Sequence, residues 1–131
     1  MSKLYIIGAV VVAAIAIALT VLASLPRPVV ATFEVAGGET YKIELATPEL
    51  IGHAEALLAG EDVAAIPLGT VVRDDPGPNG PWSWHIDPET LEFADQTIEV
   101  CDGLPSYVED RTVTSEQFCP WSAEIVAIDG L

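Results

Sequence analysis

Residues 32–45 read TFEVAGGETYKIEL, and this stretch predicts the fold class. Apolar and polar residues alternate in Thr32–Ala36 and again in Thr40–Leu45, which is the period of a strand that buries one face. Gly37, Gly38 and Glu39 lie between the two runs, and a Gly-Gly turn in this position is typical of a β-hairpin. We therefore predict two antiparallel strands at the start of a folded domain.

A helix is predicted directly after this hairpin. Thr47 is a suitable N-cap, Pro48 suits the first helical position, and Glu49 complements the positive end of the helix dipole. Gly60 is expected to end the helix. The apolar residues that share one helical face, and are expected to face the core, are Leu50, Ala54, Leu57 and Leu58.

The rest of the domain is predicted to consist of short strands joined by loops. The predicted strands are Leu68–Arg73, Trp82–Asp87, Phe93–Cys101 and Trp121–Ile128, with one helical turn at Ser106–Arg111. Asp74–Pro81 holds three prolines and two glycines in eight residues, so it is predicted to be a surface loop. The fold class is therefore α+β, with mostly antiparallel strands and one packed helix.

The N-terminal segment has the composition of a membrane helix. No charged side chain occurs from Leu4 to Pro26. A helix over Leu4–Leu25, at about 1.5 Å per residue, is roughly 33 Å long and matches a bilayer core of about 30 Å. The run is also longer than the apolar core of a usual signal peptide. We predict a transmembrane signal-anchor helix over residues 1–25 and a juxtamembrane spacer over residues 26–31.

The charge before this helix predicts the topology. Lys3 precedes the apolar run, which favours a cytoplasmic N-terminus and an extracytoplasmic domain, periplasmic or extracellular, over residues 32–131. Cleavage of the N-terminal segment stays open, since Val21-Leu22-Ala23 is a tolerable cleavage sequence.

The predicted domain is strongly acidic. All 20 Asp and Glu residues follow residue 31, where Lys42, Arg73 and Arg111 are the basic residues, so its formal charge is 3 − 20 = −17. Such a surface repels nucleic acid and anionic lipid head groups. It suits basic partners, cations or simple solubility.

The two cysteines, Cys101 and Cys119, do not have the spacing of a metal or redox site. In an oxidising compartment they predict one disulfide, whose closed loop is worth about 3 kcal/mol. This bond would tie the strand that ends at Val100 to the start of the final strand. Two free buried thiols are the alternative.

The stretch Trp82–Asp87 holds the densest set of chemically informative residues. As a strand it would turn Trp82, Trp84 and Ile86 to the core and Ser83, His85 and Asp87 to the other face. Side chains two apart on a strand are about 7 Å apart at their bases, and no nucleophile elbow is present, so a catalytic triad is not expected. Instead a His–Asp hydrogen bond is expected to fix the neighbouring loop. Structural roles are predicted for Trp82, Trp84, His85, Asp87 and Trp121, and no catalytic residue is assigned.

The proline-rich loop could also bind a cation. Oxygen ligands of the kind that calcium prefers are offered by Asp74, Asp75, Asn79 and Asp87. The spacing is not that of an EF-hand, and two histidines and two cysteines are too few for a zinc site. Calcium is therefore the alternative ligand, and no other cofactor is expected.

Four motifs occur in order along the domain: Pro81-Trp82-Ser83-Trp84-His85-Ile86-Asp87-Pro88, Ile98-Glu99-Val100-Cys101-Asp102, Tyr107-Val108-Glu109-Asp110 and Cys119-Pro120-Trp121-Ser122. From about Phe33 to Val126 the chain resembles the N-terminal domain of a slime-mould calmodulin-binding protein, a domain that recurs in small bacterial exported proteins. The resemblance implies an exported domain in which the cysteines and the tryptophan-rich strand are structural. Calmodulin itself is not the expected partner, because it prefers basic amphipathic helices and the predicted helix carries Glu49 and Glu55.

These features lead to one functional hypothesis with two alternatives. We expect a non-enzymatic binding or accessory domain, held in the membrane by residues 4–25, that presents an acidic surface to other membrane or exported proteins. A minor subunit of a larger membrane complex fits this description, and nucleic acid does not fit as a partner. A cation-binding domain is the first alternative and a hydrolase is the second.

Overall fold

The computed structural model describes residues 27–131. The anchor helix predicted over residues 1–25 and the first spacer residue, Pro26, lie outside the described residues, and the anchor stays a prediction. Within residues 27–131, no helix combines the length and the hydropathy that crossing a membrane requires.

The described chain forms a small α+β domain, as predicted. Its elements in chain order are β1 (Val30–Glu34), β2 (Thr40–Glu44), α1 (Pro48–Leu58), β3 (Ile66–Val72), β4 (His85–Ile86), β5 (Glu92–Ala94), α2 (Pro105–Glu109), β6 (Gln117–Phe118) and β7 (Glu124–Asp129). Single 3-10 turns lie at Gly77–Asn79 and Glu99–Cys101. The strand pairs are all antiparallel, and they form two sheets.

The predicted hairpin is confirmed, and it belongs to a three-stranded sheet in the order β2-β1-β7. Strand β1 begins at Val30, two residues before the predicted start. The Val29 carbonyl accepts a hydrogen bond from the Leu45 amide at 2.8 Å, and Ala31 is fully buried. Residues 29–31 are therefore part of the folded domain rather than a spacer, because β1 is the central strand of this sheet.

The predicted helix is confirmed, with its N-cap. The Thr47 hydroxyl accepts a hydrogen bond from the Leu50 amide at 3.2 Å, and Pro48 is the first helical residue. Ala54 is buried against the core as expected, and Leu50 packs beside it. Leu58 is wrongly predicted to face the core: it is the last helical residue and is 47% exposed, and Ile51 packs against the core instead.

Strand β3 organises the second sheet, since β4, β5 and β6 all pair with it. Ile66 lies opposite Ala94 of β5, Gly69 opposite Phe118 of β6, and Val72 opposite His85 of β4. Gly69 is required here because a Cβ at this position would collide with the Ile86 side chain. The strand predicted at residues 68–73 is confirmed, although β3 begins two residues earlier and ends one residue sooner.

The two other strands predicted for this sheet are much shorter in the structure than predicted, and both for the same reason. Pairing with β3 stops at its two ends, Ile66 and Val72. Phe93–Cys101 is therefore a strand only to Ala94, after which the chain bends into the turn at Glu99–Cys101. Trp82–Asp87 is a strand only at His85–Ile86. An alternating sequence becomes a strand only where a neighbour can satisfy its backbone groups.

Aromatic side chains from both sheets meet in the core. The Tyr41 ring of β2 lies 5.3 Å from the Phe118 ring of β6, and the Trp84 ring lies 5.6 Å from Phe118 and 5.9 Å from Tyr41, between centroids. Burial raises the pKa of the Tyr41 phenol well above its ordinary value. The interior therefore contains a buried aromatic cluster built from both sheets.

Candidate functional site

Asn79, a predicted cation ligand, anchors the proline-rich loop to the core. Its side chain is 1% exposed. The Oδ1 atom accepts a hydrogen bond from the Lys42 amide at 2.7 Å, and Nδ2 donates to the Trp84 carbonyl at 2.9 Å. The amide thus joins strand β2 to the segment before β4, and it is not free to join Asp74, Asp75 and Asp87 in a ligand set. Within residues 27–131, no group of three or more His, Cys, Asp and Glu side chains is arranged to hold a metal ion.

His85 fixes this loop, as predicted, but through a different partner. Its Nδ1 atom lies 2.6 Å from the main-chain carbonyl of Asp75, and since a carbonyl only accepts, Nδ1 carries the proton. The Asp75 carboxylate accepts from the Gly77 amide at 3.1 Å and lies 3.9 Å from the same Nδ1. Asp87, the expected partner by its position on the strand, accepts from the Glu89 amide at 3.0 Å instead.

Ser83 is hydrogen-bonded to Glu109, the last residue of helix α2. Its amide and its hydroxyl both donate to the Glu109 carboxylate, at 3.1 and 2.9 Å to Oε2. The polar row Ser83, His85 and Asp87 is therefore bonded in three separate directions. Each of the three side chains fastens a loop or turn to its neighbour.

The short helix α2 is held at both ends by charged side chains from distant parts of the chain. At its start the Glu39 carboxylate accepts from the Ser106 amide and hydroxyl, both at 2.8 Å. At its end the Arg73 guanidinium donates to the carbonyls of Val108 and Val113, at 2.7 and 3.1 Å. An anion at the first turn and a cation at the last complement the helix dipole. Sequence reasoning missed both contacts, which join residues 35 or more positions apart.

The predicted disulfide between Cys101 and Cys119 is confirmed, with a Cα–Cα distance of 5.1 Å. The Cys119 amide also donates to the Cys101 carbonyl at 2.7 Å. The bond joins the turn at Glu99–Cys101 to the residue that follows β6, rather than a strand end to the final strand. Both cysteines are buried, and the bond joins the turn that carries Val100 to the segment that carries Trp121.

Three large apolar side chains close to the two cysteines along the chain are exposed. Ile98 is 66% exposed, Val100 is 62% exposed and Trp121 is 43% exposed. We call these three residues the disulfide patch, since they lie within three positions of Cys101 or Cys119. Sequence analysis assigned Trp121 a structural role and placed Ile98 and Val100 on a strand. One feature of the sequence could have indicated this patch: three bulky apolar residues lie close to the two cysteines along the chain.

The Trp121 side chain is exposed but fixed in orientation. Its indole Nε1 donates to the Thr97 hydroxyl, and its amide donates to the Asp102 carboxylate at 2.8 Å. A cleft of about 310 Å³ opens beside the indole. The residues that line the cleft are Ile66, Asp95, Gln96, Thr97 and Trp121.

Around the patch the charge is negative and is not balanced by basic side chains. No Lys or Arg occurs between Arg73 and Arg111, a segment that includes Asp95 and Glu99. Among the described residues, no carboxylate forms a salt bridge with a lysine or arginine. The Arg73 guanidinium donates its hydrogen bonds to the carbonyls at the end of α2. An unpaired anionic surface attracts cationic groups.

Of the patch residues, Trp121 lies near the end of the first sheet that is farther from residue 27. Val30 pairs with Asp129 at the near end of β1, and Glu34 pairs with Glu124 at the far end. Beyond the far end, the Ala36 amide donates to the hydroxyl of Ser122, the residue after Trp121, at 2.9 Å. At about 3.4 Å per residue, the length of β1 separates the two ends by roughly 15 Å.

Comparison with known proteins assigns the family. The family model for the BP-74 N-terminal domain matches residues 27–130, which is nearly all of the described chain and extends beyond the resemblance seen between Phe33 and Val126. No curated protein and no solved structure matches the chain. The chain belongs to the BP-74 N-terminal domain family.

Proposed function

We propose that this protein is a membrane-anchored accessory domain that works outside the cytoplasm and presents an acidic, disulfide-braced surface to a protein partner. The observation that carries the proposal is the exposure of Ile98, Val100 and Trp121 above the disulfide, within an unbalanced anionic surface. Apolar side chains clustered inside a polar rim are typical of protein interaction sites.

The cysteines and the N-terminal composition support the placement. A disulfide persists in oxidising compartments and is rare in the cytosol, so the bond between Cys101 and Cys119 favours export. The uncharged run from Leu4 to Leu25 supplies a segment of the right length to hold the domain at a membrane.

A protein partner is favoured over a cation because of Asn79. The oxygen of its side chain, which the cation hypothesis needs as a ligand, is buried and accepts a backbone amide. A protein is favoured over nucleic acid because a domain with a formal charge of −17 repels phosphates. Calmodulin is disfavoured because helix α1 contains no Lys or Arg.

Purification from native membranes tests the proposal. The full chain, tagged at its C-terminus, is solubilised in mild detergent, and the proteins that copurify are quantified by mass spectrometry. The control carries residues 1–28 fused to the same tag, which keeps the apolar segment and removes the domain from Val29 onward. We expect at least one membrane or exported protein at near-stoichiometric amounts with the full chain only. Equal recovery with the control would show that the domain binds no protein.

A further inference from the structure

We propose that the disulfide patch and its cleft form the docking site for this partner, and that the site takes a segment in which a bulky apolar side chain lies beside lysine or arginine. The inference rests on the proposed function and specifies where the partner binds and by what chemistry.

The first argument is that hydrogen bonds and the disulfide position part of the patch before anything binds. Trp121 is held through its indole nitrogen by Thr97 and through its amide by Asp102. The disulfide fixes the turn that carries Val100 to the chain that carries Trp121. Binding to a preorganised surface loses less conformational entropy. Tryptophan is also the residue type most enriched among those that dominate binding energy at interfaces.

The second argument is the shape of the cleft. At about 310 Å³ it is at the lower end of the range for small-ligand pockets, roughly 300–1,000 Å³, and is large enough for one bulky side chain. Its lining combines apolar residues, Ile66 and Trp121, with polar ones, Asp95, Gln96 and Thr97. An apolar side chain can therefore contact the first group while its neighbours in the partner chain contact the second.

The third argument is charge, which decides what those neighbours are. Asp95 lines the cleft, and Glu99 separates Ile98 from Val100 along the chain. Both acids are exposed, and neither has a basic partner among residues 27–131. A lysine or arginine next to the inserted side chain would gain attraction from both, whereas an acidic segment would be repelled.

Defined peptides test the chemistry of the site. The probe is a fluorescent peptide with leucines flanked by lysines, and its binding to the full chain in nonionic detergent is followed by anisotropy at low salt. Two matched peptides replace each lysine by glutamate or each leucine by serine. We expect only the leucine-lysine peptide to bind, and to bind more weakly as salt is raised.

Matched variants test the location. Trp121→Ala and Val100→Ser should each weaken binding of the leucine-lysine peptide, the first by about tenfold or more. Val126→Ser removes an equally apolar, exposed side chain from β7, outside the patch, and should change binding by less than about twofold. Val100→Ser keeps the test decisive if Trp121→Ala fails to fold.

Several outcomes would overturn the inference: no binding of the leucine-lysine peptide to the unaltered chain, equal binding of the glutamate peptide, or unchanged binding by both patch variants. Sedimentation that shows a dimer lost in Trp121→Ala would assign the patch to a second copy of the chain and would also overturn the inference.

If the copurifying protein is recovered equally with Val100→Ser, the docking site is wrong while the proposed function stands. If nothing copurifies with the unaltered chain, the proposed function itself fails.

Discussion

Trp84 and Trp121 occupy opposite environments in this domain. Trp84 is 1% exposed, and its indole nitrogen has no hydrogen-bond partner among residues 27–131. Trp121 is 43% exposed, yet its indole nitrogen donates to Thr97. The Trp84 ring is therefore fully packed without a hydrogen bond to its nitrogen. The Trp121 ring is less tightly packed, and its nitrogen is hydrogen-bonded.

The contrast distinguishes a residue that stabilises the fold from one that we propose binds a partner. An unpaired buried N–H costs about 1–3 kcal/mol, so the site around Trp84 is tolerated only because the aromatic contacts with Tyr41 and Phe118 outweigh it. A tryptophan that is 43% exposed contributes less to folding than one that is fully buried. Trp84 therefore serves stability, and we infer that Trp121 serves binding.

Trp84→Ala should cause the largest loss of stability, about 3–5 kcal/mol, because it leaves a cavity in the aromatic core. Urea unfolding of the full chain in nonionic detergent measures it. Trp84→Phe is the matched control and should cost much less, since it keeps an aromatic ring and removes an N–H that has no partner among the described residues. A phenylalanine variant as unstable as the alanine variant would mean that the indole N–H is bonded, and the contrast with Trp121 would break.

Replacing both Cys101 and Cys119 by serine should lower the free energy of unfolding by about 3 kcal/mol, since the closed loop spans 18 positions. The same unfolding measurement applies, with the unaltered chain under reducing conditions as the comparison. Hydrogen exchange should rise first at Val100 and Trp121, which the bond braces. An increase that is confined to the core around Trp84 would contradict the bracing of the patch.

Alkaline pH tests the burial of the Tyr41 phenol beside Trp84. Burial raises the pKa of Tyr41 above its ordinary value of 10.0, so the folded state holds the phenolic proton more tightly than the unfolded state does. The contribution of Tyr41 to stability should therefore be constant below about pH 10 and be lost as pH rises further. Tyr41→Phe should flatten this fall, whereas Tyr107→Phe, which removes an exposed phenol, should leave it in place. An identical fall in both variants would assign the effect to other groups.

Trp121→Ala should have the smallest effect on stability, below about 1 kcal/mol, because the side chain is partly solvated in the folded protein. Thermal melting alongside Trp84→Ala gives the comparison directly. A loss as large as that of Trp84→Ala would make Trp121 a core residue and remove the reason to place binding there.

The sequence predicted local structure well where the signals are local. The Gly37-Gly38 hairpin and the Thr47 cap of α1 depend on neighbouring residues, and both are confirmed. The disulfide was also predictable, because two cysteines allow one pairing. These features are enough to define the fold class.

The sequence did not predict where pairing stops or what is exposed. The extent of β4 and β5 is set by Ile66 and Val72, the two ends of a strand far away in the chain. Because pairing with β3 ends at Ala94, Ile98 and Val100, which were predicted to lie on a strand, are unpaired with β3 and exposed. Asn79 looked like a cation ligand because nothing in the sequence shows that its amide meets the Lys42 and Trp84 backbones.

The most direct test follows the indole N–H signals of Trp82, Trp84 and Trp121 by NMR, in the nitrogen-15-labelled full chain in detergent micelles, during titration with the leucine-lysine peptide. The Trp121 signal should shift progressively with peptide, and the Trp84 signal should stay in place. A titration that moves Trp84 and leaves Trp121 unchanged would contradict the division between a buried aromatic core and an exposed docking surface.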